Sequence, residues 1–528
     1  MKYKRAKSKQ DISLWLDKLI DNITNAFPRK DISKENLKEI VKDALSTKRL
    51  INDLAELYRL EPDYVIEALQ KLGLNFSIPV SSARYIDEQK VTWIAAPKGI
   101  YKMKGLSITA SLPAFIEPFD VDNGVFSLLE SEWKNLIDKI KGGDSFLSYY
   151  RTGILAYLDY YFTNISPKIH TFIEKYFKNS SLKYIITVGI GANEQFLHFP
   201  QSWYQYQNKK LQWFICDNPK DLSKLPLDCN VKNTLFIEYS RSGKTQEIVK
   251  FDEFLISEVV RIIFANSGPL FALSKQHKEG CLNLDFPEKV PGRFGKNMTP
   301  LLLVPFDLLG LPVKEYWNEI AYCINSWDLS DPSSPPAAVA RYIRAAQLNN
   351  KVNHIYLGCN DDMLLHSCDE MVQFWNEGVN KDGNDISMSR YFGLPRDSHL
   401  NIEGILSNRD TKIGIFLLRK KGDVQFQHPL RNKSPKPVNP EHNGLNIADV
   451  DYALALANAD HFGKLMPTIK IEVEEVNLLT SAVLSQLWAD ITYSYSLLIG
   501  VNPGSNPEVR LVRDRSEILL AEFAKSKK

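Results

Sequence analysis

Residues 184–193 read YIITVGIGAN. Tyr184 to Val188 are apolar or β-branched and predict a short buried strand. Gly189-Ile190-Gly191-Ala192-Asn193 predicts a tight turn of small residues into a helix. Small residues let a ligand approach the backbone, and the start of a helix offers free N–H groups. The dinucleotide-binding pattern G-x-G-x-x-G would need a third glycine at 194, where Glu194 stands. A plain strand-to-helix turn and an anion-receiving loop both fit this stretch.

The same alternation extends outward. Apolar runs at Trp213–Ile215, Leu235–Tyr239 and Val260–Phe264 predict strands, with helical stretches such as Thr245–Val259 between them. Strand alternating with helix implies parallel βαβ units and a doubly wound sheet. Asp331–Pro336, DPSSPP, reads as a linker. Beyond it come predicted strands at His354–Leu357, Ile413–Leu418 and Thr468–Val473, a helix near Met363–Asn376 and a long helix from Leu479 to Ile499. Residues 428–444 are polar and proline-rich, as in an exposed loop. In the first 75 residues Ile12, Leu16, Leu19, Ile20, Ile23 and Phe27 share a helical face, with Asp11 as N-cap and Pro28 as stop. The fold expected is α/β, two doubly wound, flavodoxin-like subdomains in tandem with helical additions at both ends. The boundaries expected are a helical region at 1–110, a first subdomain at 111–330, a second at 331–480 and C-terminal helices at 481–528.

Composition narrows the class of function. Of 528 residues 44% are hydrophobic, and 65 basic residues against 63 acidic ones leave a net charge of +2. Disorder, a fibre and a disulfide scaffold are excluded, and no global field favours nucleic acid or a membrane surface. Met1–Gln10 holds five Lys or Arg residues, but Asp11, Asp17, Lys18 and Asp21 interrupt any apolar core after it, so it reads as a solvated tail. The most apolar run, Leu301–Val313, contains Pro305 and Asp307 and is too short to span a bilayer. The six cysteines form no C-x-x-C pair, which points to free thiols in a reducing cytoplasm rather than zinc or a redox motif.

A second loop follows the Leu235–Tyr239 run: Ser240-Arg241-Ser242-Gly243-Lys244-Thr245-Gln246-Glu247. Gly-Lys-Thr suggests a Walker A loop, but that motif needs glycine at 238, which is Glu238, so a nucleoside-triphosphatase reading fails. Hydroxyls, cations and a glycine at a helix start suit a phosphate monoester. A serine N-cap beside solvated charges accounts for the segment equally well.

Taken together, the two loops resemble the sugar isomerase (SIS) domain, with a G-I-G-G-S turn followed by S-[KR]-[ST]-x-x-T-x-E. Within that group the chain resembles the glucose-6-phosphate isomerase family. Pro291-Gly292-Arg293-Phe294 with Thr299-Pro300-Leu301-Leu302, Glu377-Gly378-Val379-Asn380-Lys381, Gly393–His399 (GLPRDSH) and Leu498–Pro503 (LIGVNP) are similar to four further family segments, all in the family's order. They span residues 188 to 515, and the first 110 residues show no clear match.

The resemblance implies interconversion of an aldose phosphate and a ketose phosphate, with no metal or other cofactor. It assigns the phosphate to Ser240, Arg241, Ser242 and Thr245, aided by Asn193, and further sugar contacts to Gly191, Ala192 and Asn506. Glu377 would move a proton between C1 and C2, Arg293 would stabilise the enediolate, and His399 would assist ring opening from a neighbouring subunit, making a homodimer necessary. Without the resemblance, Glu377 is a polar residue after an amphipathic stretch, Arg293 a surface or salt-bridge arginine, and His399 one of nine histidines. The chain departs from the family at Ala192 and Asn193, where the family has glycine and serine, and at Arg513, where it has lysine. Arginine cannot shuttle a proton but can donate hydrogen bonds to a sugar hydroxyl. Two alternatives stand beside a glucose-6-phosphate isomerase: a catalytically weak sugar-phosphate sensor, and an isomerase of another sugar phosphate.

Overall fold

The computed structural model describes residues 101–103, 106–111, 131–132, 134–138, 158, 160–177, 181–206, 210–240, 242–277, 279–284, 294, 300–381, 384, 386–393, 398–407, 409–420, 441, 444–504 and 507–527. The helices expected in the first 75 residues and most of the expected loop at 428–444 lie outside the described residues.

A short antiparallel hairpin comes first, β1 (Tyr101–Met103) and β2 (Leu106–Ser111). Five parallel strands follow: β3 (Tyr184–Val188), β4 (Gln212–Cys216), β5 (Thr234–Tyr239), β6 (Val260–Phe264) and β7 (Cys281–Leu284). Their order is β4-β3-β5-β6-β7. Four more parallel strands, β8 (His354–Cys359), β9 (Ser387–Gly393), β10 (Lys412–Arg419) and β11 (Thr468–Val473), take the order β9-β8-β10-β11. The early hairpin completes this second sheet, β2 running antiparallel to β11. It thus carries chain from the expected helical region into the second subdomain. In both parallel runs the strand order reverses between the first and third strands, and the carboxyl ends there flank a crevice.

The strands form because apolar residues occupy both faces, the pattern of a sheet covered on both sides. Leu235, Ile237 and Tyr239 of β5 share a core with the Ser166–Tyr176, Ala192–Tyr206, Pro300–Leu308 and Val313–Ser326 helices. Phe236 meets the Gln246–Phe254 and Gly268–Gln276 helices on the other face. In the second sheet Ile413, Ile415 and Leu417 of β10 face the Pro335–Asn350, Asp362–Gly378 and Leu478–Leu498 helices. Phe416 and Leu418 face the Ser398–Leu406 and Ile447–Leu465 helices. Two helices lock the halves together. The Ala192–Tyr206 helix gives Phe196 and Leu197 to the first core and Phe199 to the second, and the Leu478–Leu498 helix begins in the first and continues through the second.

The expected linker at Asp331–Pro336 is only partly one. Ser334 is the N-cap of the Pro335–Asn350 helix, and Pro335 and Pro336 stand in its first turn, where a missing N–H removes no helical bond. The six cysteines are free, and no helix among the described residues is long and apolar enough to cross a membrane.

A buried polar cluster surrounds Arg261, at the amino end of β6. Asp252 is paired with Arg261 and lies 3.0 Å from His277 Nε2, while Arg261 also donates to the Ile256 carbonyl at 2.8 Å. Glu238 is buried among them, and its carboxyl group meets that of Asp252 within hydrogen-bond reach. Burial first, and the neighbouring Asp252 charge second, raise its pKa well above the ordinary value of 4.5. The folded chain therefore keeps a proton that the unfolded chain loses above pH 4.5, and the stability due to this group falls as pH rises from there. Glu238→Gln, which keeps the shape and cannot ionise, is expected to melt above wild type at about pH 8, the gap closing as pH falls toward the carboxylate range. Thermal melts across that range check this; a gap independent of pH would contradict it.

Candidate active site

The two loops singled out in the sequence lie side by side, at the carboxyl ends of the adjacent strands β3 and β5 where the first sheet reverses order. After β3, Gly191 turns the chain at φ +64°, and its carbonyl accepts from the Glu194 and Gln195 N–H groups at 3.0 and 3.1 Å. After β5, Ser240 is buried and its hydroxyl lies 3.0 Å from Thr245 Oγ1. Thr245 is the N-cap of the next helix, but its side chain makes no capping bond. The Thr245 carbonyl takes the Ile248 and Val249 N–H groups at 3.1 and 3.0 Å, and the N–H groups of Gln246 and Glu247 before them suit an anion. Ser242 Oγ accepts from the Lys244 N–H at 3.2 Å, and Lys244 itself is exposed.

The floor of this loop is backbone on backbone. Gly243 has φ +60°, and a Cβ there would lie 1.7 Å from the Ser267 carbonyl oxygen. Gly268 has φ +79° and touches Gly243 from the other side, and Leu270 N donates to the Gly243 carbonyl at 3.0 Å. Sequence reasoning missed Gly268. Its signal is Ser267-Gly268 shortly after β6, another strand–glycine–helix turn.

Glu377 comes to these loops from the other half of the molecule. It lies one residue before the end of the Asp362–Gly378 helix, which Asp361 caps through the Met363 and Leu364 N–H groups. Its neighbours fix it. Trp375 Nε1 donates to the Ile386 carbonyl at 2.9 Å, and Asn376 exchanges two bonds with the Met388 backbone. Gly378 lets the Leu478–Leu498 helix close in: a Cβ at 378 would lie 2.6 Å from Thr492 Cγ2. The Glu377 carboxylate accepts from Gln373 Nε2 at 2.8 Å. That same nitrogen would lie 3.4 Å from a Cβ on Gly191, so the glutamate and its partner reach the first loop. Gln373, four residues before Glu377 on one helix face, is a second residue the sequence reading missed.

The helices carrying the two parts run antiparallel. Gly191 meets Gln373 at one end, and further along Ser202 Oγ is 3.1 Å from His366 Nε2 and the His198 ring stacks on His366 at 5.4 Å. Burial, then His198, pushes the His366 pKa down to about 4, so the His366 ring is uncharged near neutrality. Phe294 stacks edge-on against Phe374 at 5.2 Å, which brings the chain next to position 293 onto the Glu377 helix.

Arg241, Arg293 and Asn506 lie outside the described residues. For Ala192, Asn193, His399 and Arg513 only the backbone is described. Ala192 and Asn193 begin the Ala192–Tyr206 helix, beside Gly191. His399 is separated from Glu377 within one chain. Its helix covers the face of the second sheet opposite to the Glu377 helix, and it starts beyond the carboxyl end of β9. Glu377 lies toward the amino ends of the strands, on the order of 20 Å away along them. Arg513 belongs to the Pro507–Ser526 helix, whose Glu517 accepts from Gln246 Nε2 at 2.8 Å, next to the second loop. Among the described residues no group of three or more His, Cys, Asp or Glu side chains could hold a metal ion.

No protein-family model matches the chain, and no curated protein matches it in sequence. Solved structures do match in fold. A hypothetical protein from Thermus thermophilus superposes with a TM-score of 0.60 at 17% identity, over 78% of this chain and 100% of the other. A glucose-6-phosphate isomerase from Chlamydia trachomatis superposes with a TM-score of 0.58 at 11% identity, over 87% and 95%. The chain shares with them its fold, two doubly wound parallel α/β subdomains in tandem.

Gly243→Ala tests the loop floor, with Gly310→Ala as its control. Gly310 has a similar φ of +65°, but a Cβ there would meet nothing within 4 Å. The Gly243 change is expected to cost about 2–4 kcal/mol, and the Gly310 change only about 1–2 kcal/mol. Equal costs in denaturant titrations would contradict the close contact.

Proposed function

We propose that the protein interconverts an aldose phosphate and a ketose phosphate, with glucose 6-phosphate and fructose 6-phosphate as the substrate pair. The observation that carries this reading is the approach of Glu377 and Gln373 to the glycine turn beside the Ser240–Thr245 loop. A carboxylate and an anion-receiving loop from two subdomains then face one cleft. The fold likeness to a solved glucose-6-phosphate isomerase supports it.

Ser240, Arg241, Ser242 and Thr245 anchor the phosphate, with the helix start supplying N–H donors. Anchoring converts the encounter of sugar and carboxylate into an intramolecular one. Glu377 removes the proton at C2 or C1 and returns it to the other carbon. The electron pair left behind passes through the enediolate, whose charge Arg293 stabilises. His399 serves ring opening. Its helix and the Glu377 helix lie on opposite sheet faces, so the histidine of a second copy completes the site, in a homodimer. Arg513 donates to a ring hydroxyl and leaves proton transfer to the histidine.

Glu377→Gln is expected to lower kcat about 100- to 10,000-fold with KM nearly unchanged, read in a coupled assay on fructose 6-phosphate. An inactive wild type, or a variant equal to it, would contradict the reading. The arginine at 513 favours one second reading, a sensor that binds sugar phosphate and turns it over weakly. Arg513→Lys separates the two: lower kcat marks an adapted arginine in a working enzyme, and a gain of about 10-fold or more with unchanged binding marks a sensor.

A further inference from the structure

The Pro507–Ser526 helix exposes nearly every side chain described on it, Leu519 being half-buried. A helix with so little buried surface takes its position from few contacts. One of them is the bond from Gln246 Nε2 to Glu517 Oε1 at 2.8 Å, joining residues 271 positions apart. Gln246 is the first residue of its helix and directly follows Thr245, whose hydroxyl rests on Ser240. Residue 513 stands four positions before 517, one turn away on the same face of the C-terminal helix.

We propose that Glu517 is a positioning residue that couples occupation of the Ser240–Thr245 loop by a phosphate monoester to the placement of residue 513 over the sugar. The proposal rests on the sugar-phosphate reading above. A phosphate at the helix start binds the first-turn N–H groups, Gln246 being in that turn, and so narrows the range of Gln246. A fixed amide is a better partner for a carboxylate than a mobile one, because less freedom is lost on forming the bond. Phosphate binding thereby favours the docked C-terminal helix, and by linkage the docked helix favours phosphate. The device brings the hydroxyl donor at 513 to the cleft when a phosphorylated substrate is present.

Hydrogen–deuterium exchange of the full-length protein, with and without fructose 6-phosphate, tests this. Peptides covering 240–254 and 507–526 are expected to slow together, the second by about three- to tenfold. In Gln246→Ala and Glu517→Ala the first still slows and the second does not; Glu517→Gln keeps an acceptor oxygen and keeps the coupling. Both alanine variants are expected to lower kcat about three- to tenfold with KM within about twofold. If neither segment responds to the sugar phosphate, the sugar-phosphate reading fails and the coupling with it. If 240–254 slows while 507–526 does not, or the alanine variants still transmit the effect, the coupling alone is overturned.

Discussion

The antiparallel pairing of the Ala192–Tyr206 and Asp362–Gly378 helices is the constraint on which the site depends. Each helix follows the first strand of its own parallel sheet, so each sheet orients one of them. Their contact sets the glycine turn of one subdomain against the terminal turn of the other, with Gln373 as the hinge piece. The remaining anchors serve this pairing: the Asn376 bonds to β9, the close approach at Gly378, and the Phe294–Phe374 contact. A carboxylate held this way has little freedom to lose when it works.

The two subdomains share a strand order but not a use for it. At the first reversal point glycines and hydroxyls leave the backbone open. At the second, Asn360 exchanges bonds with the Arg419 backbone at 3.1 and 2.7 Å, and Arg419 pairs with Asp361 at 2.8 Å. Side chains of the protein thus satisfy each other at the second reversal point, where the first carries an open turn. The second subdomain brings the Glu377 carboxylate from the far end of the Asp362–Gly378 helix.

Much of this was legible in the sequence, for physical reasons that differ by element. Tyr184–Val188 and Ile413–Leu418 announce themselves because buried parallel strands are apolar on both faces. Two of the edge strands do not: Cys281–Leu284 and Ser387–Gly393 mix polar and apolar residues and went unrecognised. DPSSPP looked like a linker because proline marks both loops and first helical turns. Glu377, Ser240, Ser242 and Thr245 were singled out through motif order; the structure sets Ser240 against Thr245 and brings Gln373, the partner of Glu377, to Gly191. Gln373 and Gly268 were missed because their importance lies in contacts across the fold that no local pattern encodes. The Gln246–Glu517 bond and the Glu238 cluster belong to the same class.

The central claim is that a phosphate-anchored sugar meets a carboxylate base at the junction of two subdomains. Its most direct test is proton NMR of fructose 6-phosphate incubated with the protein in D2O. An enediolate formed by a carboxylate base exchanges part of its carried proton with solvent, so the account predicts aldose phosphate with deuterium at C2, and none with Glu377→Gln. Sugar phosphate that binds yet neither isomerises nor takes up deuterium would contradict it.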